Sequence, residues 1–343
     1  MSEDHRRNKL LAWYRQWSGD ADADVSVVSG DASFRRYFRA ELEGKSVILV
    51  DSPPAQEKNH EFVAIGTALR SAGVRVPEVL RADLDHGFLA QEDFGDELLL
   101  PALNLQNAGS YYGRALSEMR VLFRLDPAPD VPPYTAERLA DEMELFPAWF
   151  CQSMLKTEIP DVLWQPLVEL LCGRATSQQQ GTVHRDFHAR NIMLLDDGSL
   201  GLIDFQDAVI GPVTYDVVSL LKDCYIRWPD ERVEHWALGY RHLMLESGVA
   251  MPSEDAFLTD FHWMGLQRHI KVLGIFVRLY ERDGKATYLG DLSRVMGYVL
   301  DTLLNDPHPL LQEFYRWFTK ELSPKVEQQS WFNADELRPR GDR

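Results

Sequence analysis

The stretch VHRDFHARNIMLL, Val183–Leu195, places His184, Arg185, Asp186, His188, Arg190 and Asn191 between two apolar flanks. Apolar flanks pull a segment inward, and ionised groups carried inward need partners or a ligand. The segment fits the pattern H-R-D-x-x-x-x-N, with Asp186 and Asn191 in its two fixed places. A second apolar run, LGLIDFQDA, reaches another carboxylate at Asp204. IMLL and LGLI flank a turn at Asp196-Asp197-Gly198, which predicts a hairpin that returns Asp204 to the side of Asn191.

That order of residues has a chemical meaning. An aspartate on a tight loop accepts the proton of an attacking hydroxyl. An asparagine amide oxygen a few positions later turns toward Mg²⁺, and a strand-ending aspartate completes the metal ligation. Phosphoryl transfer from ATP uses this trio. A single Asp–Asn pair on a loop is ordinarily a solvated turn, and an aspartate after a strand is often a helix cap. Three such residues in order, each after its own apolar strand, point instead to Asp186 as the catalytic base. Asn191 and Asp204 are then the metal ligands.

Outward from this stretch the chain changes texture. Leu10, Leu11, Tyr14 and Trp17 recur at helical spacing. VSVVSGDASFRRYFRAELEGKSVILVDSPP reads as three short strands with turns at SGDAS and ELEGK. EKNHEFVAIGTALRSAG is helical up to Gly73, and VPEVLRADLDHGFLAQEDFGD gives two more strands. Helices are expected near 109–125, 135–152 and 162–178, strands at 191–195 and 200–204, and long helices from Tyr215 to Lys320. The expected division is a β-rich lobe over 1–95, a helical lobe over 96–322 and a loosely ordered tail over 323–343.

The chain of 343 residues carries 36 basic against 53 acidic residues, a net charge of −17, which repels nucleic-acid phosphates. Cys151, Cys172 and Cys224 are widely spaced and odd in number, as expected for buried reduced thiols. The N-terminus lacks the long apolar core of a signal peptide, and no apolar run approaches the ~20 residues of a membrane span. A soluble cytoplasmic protein, acting as a monomer without nucleic acid or membrane, is expected.

The eukaryotic protein kinases do not fit: DFG is DFQ at Asp204-Phe205-Gln206, and G-x-G-x-x-G, V-A-I-K and A-P-E are missing. H-x-D-x-H-x-x-N followed by I-D-F resembles instead the aminoglycoside phosphotransferase and choline kinase branch of the kinase-like superfamily. That resemblance spans roughly Val25 to Asp216, and in helical character continues to about residue 305. It implies an α+β, bilobal protein-kinase-like fold with a small β-rich N-lobe and a large helical C-lobe. It also implies ATP and Mg²⁺ as cofactors and a small-molecule acceptor. Ser29, Gly30, Asp31, Ala32, Ser33, Phe34 and Arg35 occupy the place of the family's nucleotide loop. The backbone of Gln91, Glu92 and Asp93 matches the linker that binds adenine. Asp207 and Asp216 match family positions, Asp216 as a helix cap and a brace of the catalytic loop. One departure stands out. Val50 or Asp51 occupies the place of the phosphate-gripping strand Lys, which leaves Lys45, Arg35, Arg36 or Lys58 as substitutes and Glu57 or Glu61 as the partner.

VHRDFHARNIMLL, GSLGLIDFQDAVIGPVTYDVVSLLKDCYIRWP and SVILVDSPP together resemble the bacterial cell-wall-recycling anomeric sugar kinases, which act on N-acetylmuramate and N-acetylglucosamine. An amino-sugar acceptor phosphorylated at C1 is the implied reaction. His188 and Arg190 are the implied acceptor contacts, along with Asp207. In Phe261–Lys285, Arg268, Lys271, Arg278, Arg282 and Lys285 outnumber Glu281 and Asp283, and His262 and His269 add to the basic side. That balance disfavours a polycation such as an aminoglycoside. Trp228, Trp236 and Trp263 could form an aromatic cage for choline. The remaining alternatives are an aminoglycoside- or choline-type kinase, or a kinase-like scaffold that binds nucleotide without transfer.

Overall fold

The computed structural model describes residues 4–28, 34–125 and 131–338. The chain forms two compact units. One comprises Met1–Leu99, Leu125–Val131 and Arg190–Ala208, and the other Leu100–Arg124, Pro132–Ala189 and Val209–Arg343.

In the first unit, strands β1 (Ser26–Val28), β2 (Arg36–Leu42), β3 (Lys45–Asp51), β4 (Val79–Asp83) and β5 (Phe88–Glu92) build one sheet in the order β1-β2-β3-β5-β4. All its pairs are antiparallel. β3 is flanked on both sides and is buried from Val47 to Asp51, as its run of β-branched and leucine side chains suits. Helix α1 (His5–Ser18) is capped by Asp4, whose side chain accepts from the Arg7 amide. Its Leu10 and Tyr14 close a core with Phe38, Val47, Leu49 and Phe88. Helix α2 (Asn59–Ser71) stops just before Gly73, at φ +88°.

The hairpin of β7 (Ile192–Leu194) and β8 (Leu200–Leu202) belongs to this unit. The Leu194 amide bonds the Glu97 carbonyl and the Leu202 amide the Arg75 carbonyl, both at 2.8 Å. These long-range backbone bonds move residues 190–208 out of the helical lobe to which their sequence position assigned them.

The second unit carries α4 (Ala108–Phe123), α5 (Ala136–Met143), α6 (Asp161–Thr176), α7 (Tyr215–Leu221), α8 (Asp230–Glu246), α9 (Glu254–Asp283), α10 (Leu292–Asn305), α11 (Pro309–Trp317) and α12 (Ser323–Val326). A short helix α3 (Leu99–Ala102) lies at the division. The single helix expected over 135–152 is α5 followed by a π-helical segment, Phe146–Met154, with Pro147 in its first turn. Proline cannot donate to the preceding turn, so the regular helix ends there. Helix α9 is the axis of the unit and is buried from Met264 through Gly274. A Cβ on Gly274 would collide with the Leu145 backbone, so glycine lets the π segment lie against α9. Strands β6 (Gln180–Val183) and β9 (Val209–Pro212) pair antiparallel; both were missed in the sequence.

The tail is ordered through residue 338, contrary to expectation. Asn333 donates its amide to the Ser293 hydroxyl at 3.0 Å, and Glu336 pairs with Arg294 at 2.5 Å. The buried Arg227 donates to the Leu337 carbonyl. All three cysteines are buried and free. Among the described residues no helix is long and apolar enough to cross a membrane.

Candidate active site

The motif changes unit within itself: His184–Ala189 belong to the second, and Arg190 onward to the first. β6 ends at Val183 and delivers the loop. Asp216, buried in the first turn of α7, accepts hydrogen bonds from the amides of His184 at 2.6 Å and Arg185 at 3.0 Å. Burial pushes the Asp216 pKa up to about 6, against the opposing pull of His184 and the two amides. The brace expected at this residue is therefore present. Asp223 does the same work at the far end of the loop, accepting from the Ala189 amide at 3.0 Å and the Tyr225 amide at 2.9 Å.

Between these braces Arg185 adopts a left-handed backbone, φ +73°. For a non-glycine residue this costs about 1 kcal/mol. Its guanidinium lies 2.6 Å from Glu142, which also receives Lys271 at 3.0 Å and the Tyr134 hydroxyl. Lys271 donates to the Tyr215 hydroxyl at 2.7 Å. Arg268 approaches the Asp186 carboxylate at 3.8 Å. Burial pushes the Asp186 pKa up, but Arg268 first, then His188, Lys271 and Arg185, outweigh it and bring the group down to about 2. Asp186 is thus ionised at neutral pH. Its side chain is 47% accessible, enough to meet an acceptor.

In the first unit, the Ile203 amide donates to the Asn191 carbonyl at 3.1 Å and closes the hairpin end. Asn191 and Asp204 consequently flank the same end of β7–β8, as the apolar runs predicted. Asp204 is also left-handed, φ +65°, a region that aspartate tolerates better than most residues. Its carboxylate accepts from the Gln206 amide at 2.8 Å, and Gln206 accepts from Arg35 at 2.9 Å. Arg35 is buried over the Phe62 ring, 3.2 Å from the Ser52 hydroxyl and 3.3 Å from Glu57. Asn191 and Asp204 offer hard oxygen donors. Mg²⁺ is commonly held by one or two such protein groups together with phosphate oxygens and water, so this donor set fits it.

Three of the expected substitutes for the strand Lys are exposed or engaged elsewhere. Lys45 lies in the β2–β3 hairpin, exposed and paired in register with Leu42. Arg36 is committed with Arg6 to the buried Asp51. Lys58 pairs with Asp207 at 2.6 Å on the surface. Arg35 pairs with Glu57.

Of the expected nucleotide loop, Ser29, Gly30, Asp31, Ala32 and Ser33 lie outside the described residues. Phe34 is exposed and donates its amide to Glu57 at 3.1 Å. The linker is narrower than expected. Gln91 is paired with Ile48 on one side and Val79 on the other, and the Glu92 amide is spent on the Glu78 carbonyl. Only from Asp93 onward does the backbone leave the ladders. The Asp93 side chain binds Arg39 and Ser46.

The acceptor expectations change more. His188 is half-buried, edge-on to Tyr225 with ring centroids 5.4 Å apart. Arg190 is exposed and, like Asp207, belongs to the first unit. Arg268 and Lys271 are buried in the network around Asp186 and Glu142, and Arg282 pairs with Asp283. His262 is driven down to about 3, chiefly by Lys222, so it adds no positive charge. A count of basic residues over Phe261–Lys285 therefore does not measure charge offered to a ligand. Trp228 is fully buried, with Tyr112 and Trp236 edge-on to it, and Trp263 donates to Asp306. Trp228 is therefore core, while Trp236 and Trp263 are half-buried. Asp223, Glu142 and Arg268 were not singled out by the sequence; none has a local pattern, since each acts on the loop from a distant segment.

Residues 24–255 match the phosphotransferase enzyme family. The chain is 39% identical over 318 residues to an N-acetylmuramate/N-acetylglucosamine kinase of Pseudomonas putida, covering 89% of this chain and 94% of the relative. It is 38% identical to a protein of that name from Neisseria meningitidis, covering 86% and 90%. A choline/ethanolamine kinase family protein from Mesorhizobium loti shares the fold, with a TM-score of 0.60 at 16% identity over 92% of this chain and 100% of that one.

Proposed function

The chain belongs to the phosphotransferase enzyme family, and we propose that it transfers the γ-phosphoryl group of ATP to the C1 hydroxyl of N-acetylmuramate and N-acetylglucosamine, giving the α-1-phosphate. The observation that carries the acceptor is the 39% identity, over nearly the whole of both chains, to a protein named for those sugars. Supply of sugar 1-phosphates to cell-wall recycling in the cytoplasm, by a monomer, is the corresponding role.

In this reading Asp186 orients the anomeric hydroxyl and takes its proton. The ring oxygen withdraws charge and makes that hydroxyl more acidic than an ordinary alcohol, so a carboxylate of low basicity suffices as positioner and late acceptor. Asn191 and Asp204 would hold Mg²⁺, which would supply neutralisation of the phosphate charge. Arg35, backed by Glu57, takes the place of the strand Lys. Catalysis is chiefly positioning and electrostatics. His188 and Arg190 are the acceptor contacts nearest the base in the chain, and Asp93 is the remaining linker residue for adenine.

Incubation with ATP, Mg²⁺ and either sugar, read by proton-coupled phosphorus NMR, tests the proposal. A phosphate coupled to the anomeric proton is expected. A phosphate on another carbon, or intact ATP with both sugars alongside transfer to choline or an aminoglycoside, would overturn it.

A further inference from the structure

Arg268 reaches two successive residues of the loop from a distant helix, the Arg185 carbonyl and the Asp186 carboxylate. It comes from the middle of α9, 4% exposed, with its guanidinium over the Tyr215 ring at 5.6 Å. One nitrogen, Nη1, lies 3.3 Å from the Arg185 carbonyl and 3.4 Å from the Tyr215 hydroxyl. The other, Nη2, lies 3.8 Å from the Asp186 carboxylate. The Ser219 hydroxyl reaches the same Arg185 carbonyl at 3.4 Å. Asp216 meanwhile holds the amides of His184 and Arg185. The left-handed Arg185 is thus caught by its amide from α7 and by its carbonyl from α9.

We propose that Arg268 is a positioning residue for phosphoryl transfer: a single planar fork fixes the strained Arg185 backbone and the Asp186 carboxylate together. The inference rests on the reading of Asp186 as the base, but not on the identity of the acceptor. Arginine suits the role because its donors are rigidly spaced, whereas lysine offers one point charge and cannot span both groups. The other charged groups facing Asp186 are Lys271 from α9 and Arg185 and His188 from the loop. Glu142 of α5 already neutralises Lys271 and Arg185 through direct pairs, and Asp216 of α7 is committed to the loop amides. Arg268 reaches the carboxylate directly, at 3.8 Å.

Two properties separate here, because charge and fork can be removed in turn. Arg268→Met removes both, and Arg268→Lys keeps the charge alone. At neutral pH Asp186 remains ionised in every variant, so a loss of kcat there reports on orientation. Displacement of a reacting group by about an ångström costs on the order of 100-fold. Arg268→Met is expected to lose about that factor in kcat, with KM for ATP within about threefold, and Arg268→Lys about tenfold.

The acceptor-independent arm is carbon-13 NMR of aspartate carboxyls in the full chain, with Asp186→Asn assigning the resonance. The Asp186 titration is expected to move upward by a unit or more in Arg268→Met and to stay near wild type in Arg268→Lys. If Arg268→Met does not fold, the lysine variant still decides, by a kcat loss with an unmoved titration. Unchanged titration in the methionine variant, or wild-type kcat in the lysine variant, would overturn the proposal. Wild-type enzyme that phosphorylates neither sugar would sink the acceptor reading and leave the titration to decide on Arg268.

Discussion

The segment from Val183 to Leu194 changes its means of support halfway along. Up to Ala189 its backbone is caught by carboxylates: Asp216 on two amides and Asp223 on a third, with Arg268 on a carbonyl. Beyond Arg190 it becomes a strand, held by the β7–β8 ladder and by buried Ile192 and Leu202. The first half carries the proposed base, Asp186, and the second Asn191, one of the two proposed metal ligands. The loop leaves a charged side chain accessible, and it is fixed through its backbone by buried charge as well as by the buried Phe187 and Ala189. A strand end needs no such help, because its hydrogen bonds are already made.

The contrast predicts different costs. Asp204→Asn should show the largest effect, a kcat loss on the order of 100-fold together with a higher Mg²⁺ concentration for half-maximal rate, since one hard anionic ligand is lost. Steady-state rates across a Mg²⁺ series check it. Asp216→Ala leaves two buried amides without their acceptor and should cost about 3 kcal/mol in urea unfolding, with kcat falling as the loop loosens. Ile192→Val, on the apolar side, should cost about 1 kcal/mol and leave kcat near wild type. A kcat loss in Ile192→Val equal to that of Asp216→Ala would erase the distinction between the two halves. Smallest is Lys58→Ala: both partners of the Lys58–Asp207 pair are exposed, so stability should change by less than about 1 kcal/mol.

Asp216 sharpens the comparison through pH. Its pKa is raised to about 6 in the folded chain, from near 4 unfolded. Between those values the native state binds more protons than the unfolded state, so this group's contribution to stability falls as pH rises through that window. Asp216→Asn lacks the titration. The stability gap between wild type and Asp216→Asn should therefore narrow from pH 4 to pH 7 in parallel thermal melts. A gap that widened would mean that the two amides outweigh burial and lower the pKa instead.

The two halves also differed in how far they could be read in the sequence. IMLL and LGLI carry their own evidence, a turn between two apolar runs, and the hairpin formed where they placed it, with Asp204 beside Asn191. The polar braces carry none. Asp223 sits in LLKDCYI and Arg268 in a helix rich in basic residues; nothing local says which of those charges turns inward or what it meets. The basic residues of α9 illustrate the loss. Counted as sequence they disfavoured a polycationic acceptor, whereas Arg268 and Lys271 are internal partners of Asp186 and Glu142. The short β6 and β9 were hidden for a related reason, since four-residue strands that pair only with each other show no usable alternation. The tail was misjudged because polar contacts to α10, together with the buried Val326, hold it.

The most direct test of Asp186 as the base is Asp186→Asn, an isosteric change at a side chain that is partly accessible. Turnover and nucleotide affinity should be measured on the same preparation, by coupled assay and calorimetry. Turnover is predicted to fall by about 10²- to 10⁴-fold while ATP affinity stays within about threefold. Turnover surviving within tenfold of wild type would contradict the assignment and leave the carboxylate a structural member of the Arg268 network.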